Sequence, residues 1–260
     1  MRCARAWLAI FAAGVGALLA GCATPGGGED SGLRSLWLPA SQEEWRKAAL
    51  RPSFKLVRSD KTSREIPGEV IGRLLRAKDK LEAAGAARAD LALADASAPN
   101  AFAFTHEGRR IVAFTLPWLD RFGGDEDGIA AVLGHELAHL SLNHSNIERR
   151  KREQSAQQAG YVAGIILGLV GVPFGGTIAG NVASGYARSY TRDEERAADE
   201  LGLRWAVKAG YDPCGLQRVM RSLQGLDSSL SLSWLSTHPG HDERAEYAAR
   251  TASEAGHSCK

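Results

Sequence analysis

The sequence predicts an α+β domain, mostly helical, with a small antiparallel sheet beside one central helix. Three observations carry that expectation. Ile129, Val132, Leu133, Leu137, Leu140 and Leu142 recur close to a 3.6-residue period, the mark of a helix. Glu69 to Ala84 and Ala197 to Val207 show helical apolar patterns as well. Ala101–Thr105 and Arg110–Thr115 flank a Glu107-Gly108-Arg109 turn and read as a β-hairpin.

The N-terminus stands apart from this domain. Arg2 and Arg5 precede an apolar run from Ala6 to Leu19 that closes on Leu19-Ala20-Gly21-Cys22. A charged start, a short apolar middle and small residues at the end describe a secretory signal, and the run is short for a membrane span. Leu-Ala-Gly-Cys resembles the bacterial lipobox, in which the chain is cut before the cysteine and the cysteine carries lipid. The expected organisation is therefore a signal peptide over 1–21, a flexible tether over 22–34 lipidated at Cys22, a domain over 35–251 with its core in 65–250, and a tail over 252–260. Loss of residues 1–21 lowers Lys plus Arg from 32 to 30 against 30 Asp plus Glu. A mature chain so close to neutral is not expected to bind nucleic acid. Cys214 and Cys259 are then the two thiols left, and an exported protein can pair them; sequence alone leaves that open.

Within the domain, Leu36-Trp37-Leu38-Pro39 reads as extended, and Ser41-Gln42-Glu43-Glu44 as a helix start with a capping pair. Gly85 is the expected stop of the helix from Glu69. Leu91–Asp95 is short and apolar, a strand with little alternation. Pro117–Phe122 reads as a short helix that Gly123-Gly124 ends. Asp125, Glu126 and Asp127 suit the positive end of the helix that follows. From Ala159 to Tyr190, Gly160, Gly164 and Gly168 are spaced by four, and so are Gly176 and Gly180, with Pro173 between the two sets. Such spacing lets helices approach closely, so the reading is a glycine-rich helical hairpin covering the site, with a membrane-touching loop as the alternative. Gly210 and Pro213 end the helix from Ala197, and a last helix is expected over Asp242–Ala249.

The chemistry lies on the central helix. His135 and His139 are four apart, so both imidazoles leave one face one turn apart and can hold one metal ion. Glu136 stands beside the pair, where it can take a proton from water. This is the His-Glu-x-x-His pattern of zinc hydrolases. A buried helix does not carry His, Glu and His unless something satisfies them. A carboxylate is still needed, and Glu195, with Asp199 on the same helical face, is one candidate among Asp193, Glu194 and Glu200; spacing does not choose among them. With Glu195 as ligand, Asp199 is placed to accept the free N–H of a liganding histidine. Metzincins are excluded, since they need Gly and His where the chain has Leu142 and Ser145.

With both stretches in view, the sequence resembles the HtpX and CAAX-prenyl-protease type of zinc endopeptidase, over about residues 65 to 250. His135-Glu136-Leu137-Ala138-His139 is followed by Arg192-Asp193-Glu194-Glu195-Arg196-Ala197-Ala198-Asp199, similar to that family's Ser-Arg-x-x-Glu-x-x-Ala-Asp with Thr191 for the serine. Asn100-Ala101-Phe102-Ala103, His144, and Thr237-His238-Pro239 with Arg244 also resemble it. The resemblance implies one zinc held by His135, His139 and Glu195, with Glu136 as general base. It implies the branch of bacterial lipoproteins concerned with envelope quality control, acting on unfolded or misassembled envelope polypeptides, with outer-membrane assembly machinery as a candidate partner. Ala23 after Cys22 points to the outer membrane, facing the periplasm. The strand around Arg110–Phe114 is expected to offer an edge to an extended substrate. His238 and Arg244 are candidates for a latch or for an oxyanion donor. The competing function is a chaperone-like assembly lipoprotein that cuts little, against which the intact Glu136 counts.

Overall fold

The computed structural model describes residues 33–39, 41–57, 61–106, 108–144, 190–224 and 237–259. The described elements are β1 (Leu33–Trp37), α1 (Gln42–Ala49), β2 (Ser53–Val57), β3 (Ser63–Pro67), α2 (Gly68–Ala84), β4 (Asp90–Ala96), β5 (Ala101–His106), β6 (Arg109–Thr115), α3 (Leu116–Phe122), α4 (Glu126–Ser141), α5 (Arg192–Lys208), α6 (Cys214–Gln224) and α7 (His241–Glu254). The fold is α+β, as the sequence predicts.

The larger sheet runs β1-β4-β6-β5. β1 is antiparallel to β4 and β5 to β6, whereas β4 and β6 run parallel, Leu91 opposite Val112 and Leu93 opposite Phe114. Parallel neighbours need a crossover, and β5 lies within it, so the hairpin β5–β6 folds back onto β4. This order corrects one expectation. The strand around Arg110–Phe114 is paired on both sides and offers no edge; β5 is the outer strand beside it. The weak alternation of Leu91–Asp95 has a physical cause. Leu91, Leu93, Val112 and Phe114 pack toward the helices, while Ala92, Ala94, Ile111 and Ala113 form a second apolar cluster with Phe102, Phe104 and Leu36. A strand buried on both faces has no polar face to alternate with.

α4 lies against β5 and β6 and is contacted by α2, α5 and α6. Every residue from Gly128 to Leu140 is buried. Asp125 caps it, accepting from the Gly128 N–H at 2.9 Å, with Glu126 and Asp127 in the first turn. Gly85 ends α2 at φ 112°, a left-handed position that favours glycine. Ser41 makes no side-chain capping bond to α1. Gln42 and Trp45 instead tie that helix to β4, Gln42 accepting from Leu91 N at 2.8 Å and the Trp45 indole donating to Leu91 O at 2.9 Å. Here a tertiary bond replaced a local cap. The final helix is longer than Asp242–Ala249, reaching Glu254. The glycine-rich hairpin of 159–190, Trp234-Leu235, Cys22 and the signal lie outside the described residues, Tyr190 excepted. Among the described residues no helix is long and apolar enough to cross a membrane.

Candidate active site

α4 sets the first two donors. His135 Nε2 and His139 Nε2 lie 2.9 Å apart, their rings near-perpendicular with centroids at 4.5 Å. α5 brings the carboxylates. It starts in a full capping box, Thr191 accepting from the Glu194 N–H while Glu194 accepts from the Thr191 N–H, so threonine does the work of the serine in the related pattern. One residue on, Glu195 reaches His139 Nε2 at 3.2 Å and His135 Nε2 at 3.5 Å. A turn later, Asp199 accepts from His135 Nδ1 at 2.8 Å.

The bend before α7 supplies a fourth donor. His238 Nδ1 lies 3.1 Å from Glu195 and 3.2 Å from His135 Nε2, and its Nε2 lies 3.5 Å from Glu136. Arg244, in the first turn of α7, donates to both oxygens of Asp199 at 2.6 and 2.8 Å and meets Glu195 at 2.5 Å. Its guanidinium is thus committed to the acids of α5. His135, Glu136, His139, Glu195, Asp199, His238 and Arg244 are all buried.

Burial in apolar surroundings drives both α4 histidines toward the neutral ring, with Arg244 adding to it at His135 and His135 adding to it at His139, which is held well below its ordinary pKa. Burial pushes the Glu195 carboxyl up, but Arg244, His238 and His135 overcome it and hold the group well below the usual range. Asp199 follows the same pattern under Arg244 and His135. Burial lowers His238, and Glu195 and Glu136 more than reverse that.

These states test whether the site fits a cation. An ionised Asp199 only accepts, so the proton of neutral His135 sits on Nδ1 and Nε2 is a bare lone pair. His139 Nδ1 stands 3.0 Å from His144 Nδ1; in the tautomer that donates there, its Nε2 is bare too. Two lone pairs and an ionised carboxylate then face one another at 2.9–3.5 Å, with Arg244 and His238 Nδ1 also against Glu195. A cation satisfies all of them at once. His135, His139, Glu195 and His238 each offer one ligand atom within 4.8 Å of the others, and the donor set is a nitrogen and oxygen mixture that suits a divalent transition metal.

A family model, Peptidase family M48, matches residues 70–252. The chain belongs to peptidase family M48. That match spans the described core from α2 to α7, and with it the buried group marks a metallopeptidase with a candidate metal centre. No curated protein is significantly similar to this M48 chain.

The structure brings together His135, Glu136, His139, Glu195, Asp199, His238 and Arg244, leaves Asp193, Glu194 and Glu200 outside that buried group, and bridges Cys214 to Cys259, with Cα atoms 5.3 Å apart. Sequence reasoning missed Tyr190. Its ring stacks on His139 at 3.6 Å and 13°, and its N–H donates to Thr237 O at 3.0 Å. An aromatic just ahead of a capping threonine was the available signal, since that position commonly packs back on its own helix.

Proposed function

We propose that this M48 chain is a zinc-dependent endopeptidase, lipid-anchored through Cys22 at the periplasmic face of the outer membrane, that cuts unfolded or misassembled envelope proteins. The observation that carries the reading is the buried donor set with Glu136 beside it. His135, His139 and Glu195 would hold the zinc, and Asp199 fixes the proton of His135 on Nδ1 so that Nε2 stays available. What zinc supplies in such a set is Lewis acidity toward a carbonyl oxygen and a lower pKa for water. Glu136 serves as general base, taking the proton of the attacking water and returning it to the leaving amine. It is buried on α4, with its carboxylate facing His238 Nε2 at 3.5 Å. An extended client would add along β5, the outer strand next to α4.

His238 is read as a latch. Its Nδ1 stands in the fourth donor position and its Nε2 faces the general base, so a client meets a closed site until the bend at Thr237-His238-Pro239 withdraws. Arg244 is read as a clamp on Glu195 and Asp199.

The test is Glu136→Gln. It should retain bound zinc, because the ligands remain, and lose casein hydrolysis by about 10²–10⁴-fold. Cleavage at the wild-type rate would sink the mechanism. Mass spectrometry of the mature N-terminus tests the anchor, which requires a lipidated Cys22 as first residue.

A further inference from the structure

α4 and α5 meet where neither has a side chain. Gly134 directly precedes His135, and Gly202 lies seven residues after Glu195 and three after Asp199, on the face of α5 that carries both acids. Both glycines are buried. A Cβ on Gly134 would stand 2.9 Å from the Gly202 carbonyl oxygen. A Cβ on Gly202 would stand 2.7 Å from the Gly134 carbonyl carbon and 2.7 Å from the His135 backbone nitrogen. All three are main-chain atoms inside helices, with no rotamer through which to yield. Neither glycine is in the left-handed region, so conformation does not call for them. Glycine is a poor residue in a helix interior, and close approach of the two backbones is what requires it here.

We propose that this glycine pair is the spacer that sets the distance between the α4 histidines and the α5 carboxylates, making Gly134 and Gly202 positioning residues for the metal site. The proposal rests on the metallopeptidase reading above. A methyl group at either position forces the backbones apart by roughly 0.5–0.7 Å before ordinary contact is reached. Metal–ligand distances tolerate about 0.2 Å. His135 and His139 share α4 and keep their spacing when the helices part. Glu195 comes from α5 and does not. The bond from His135 Nδ1 to Asp199, 2.8 Å across the same crossing, loosens with it.

The experiment measures zinc affinity of the full chain by chelator competition, the visible spectrum of the Co²⁺-loaded protein, and thermal unfolding of the metal-free protein. Gly202→Ala should weaken zinc about 10–100-fold and alter the Co²⁺ bands. Gly134→Ala, with its single contact at 2.9 Å, should weaken it less. Gly215→Ala is the control. A Cβ there meets the Asp127 carbonyl carbon at 2.4 Å, at the far end of α4. It should destabilise the metal-free fold and leave zinc affinity unchanged. Wild-type affinity in Gly202→Ala, or an equal loss in Gly215→Ala, overturns the proposal. If Gly202→Ala does not fold, Gly134→Ala carries the test with the same two outcomes. A wild-type chain that binds no zinc overturns the metallopeptidase reading itself, a result distinct from variants that bind as well as wild type.

Discussion

The α4 pair and the segment Thr237–Arg244 deliver buried polar groups to the same point by opposite means. His135 and His139 are one turn apart on a capped helix buried from Gly128 to Leu140, so their spacing is a property of that helix alone. His238 arrives from a hundred residues downstream, on a bend held by the Tyr190 N–H to Thr237 O bond on one side and by Arg244 on the other. A helix cannot withdraw one of its donors without losing the other. His238 instead sits between helical Thr237 and Gly240, the latter left-handed at φ 90°, outside both α5 and α7. On the proposed latch reading, the permanent ligands would be on the helices and the removable one on the segment before α7.

Arg244→Met attacks the side of this comparison that holds the bend in place. It removes the largest counter-charge of the buried Glu195 and Asp199, and chemical denaturation of the metal-free chain should show a loss of about 3–5 kcal/mol. A loss below about 1 kcal/mol would mean that the clamp is not structural.

The disulfide comes next in size. Cys214 opens α6 and Cys259 follows α7, a separation of 45 residues that encloses the whole of Thr237–Arg244. Replacing both cysteines by serine should lower stability by about 2–4 kcal/mol through the freed unfolded chain, read as a lower thermal midpoint of the oxidised protein's counterpart. An unchanged midpoint would show that packing of α7 on α6 alone secures this region.

His238→Ala, with the smallest effect if the latch reading holds, carries the sharpest sign. If the bend is a latch, the variant should cleave casein faster, roughly severalfold, because the closed state no longer competes. If His238 donates to the oxyanion instead, the same variant should be slower by about 10²–10³-fold. The two regions would then both be catalytic, and the comparison drawn here would fail.

What the sequence by itself determined is what short-range physics controls. The period of α4, its acidic first turn, the i, i+4 histidines and the turn between β5 and β6 all depend on neighbours within a few residues. Glu136 could be picked out beside the histidines for the same reason. Other features were not legible. The short hairpin β2–β3 exposes half of its residues and shows little apolar pattern, and the two-sided burial of β4 and β6 erased the alternation that would have told an inner strand from an edge. Spacing alone did not select Glu195 from its acidic neighbours; the family resemblance pointed to it, and the tertiary structure placed it against the histidines where α5 crosses α4 at Gly134 and Gly202. Only the tertiary structure placed Tyr190 on His139, Arg244 on the two acids, and His238 in the fourth donor position. Each is a contact between segments tens of residues apart, and local propensity carries no information about which distant backbone will arrive at a given side chain.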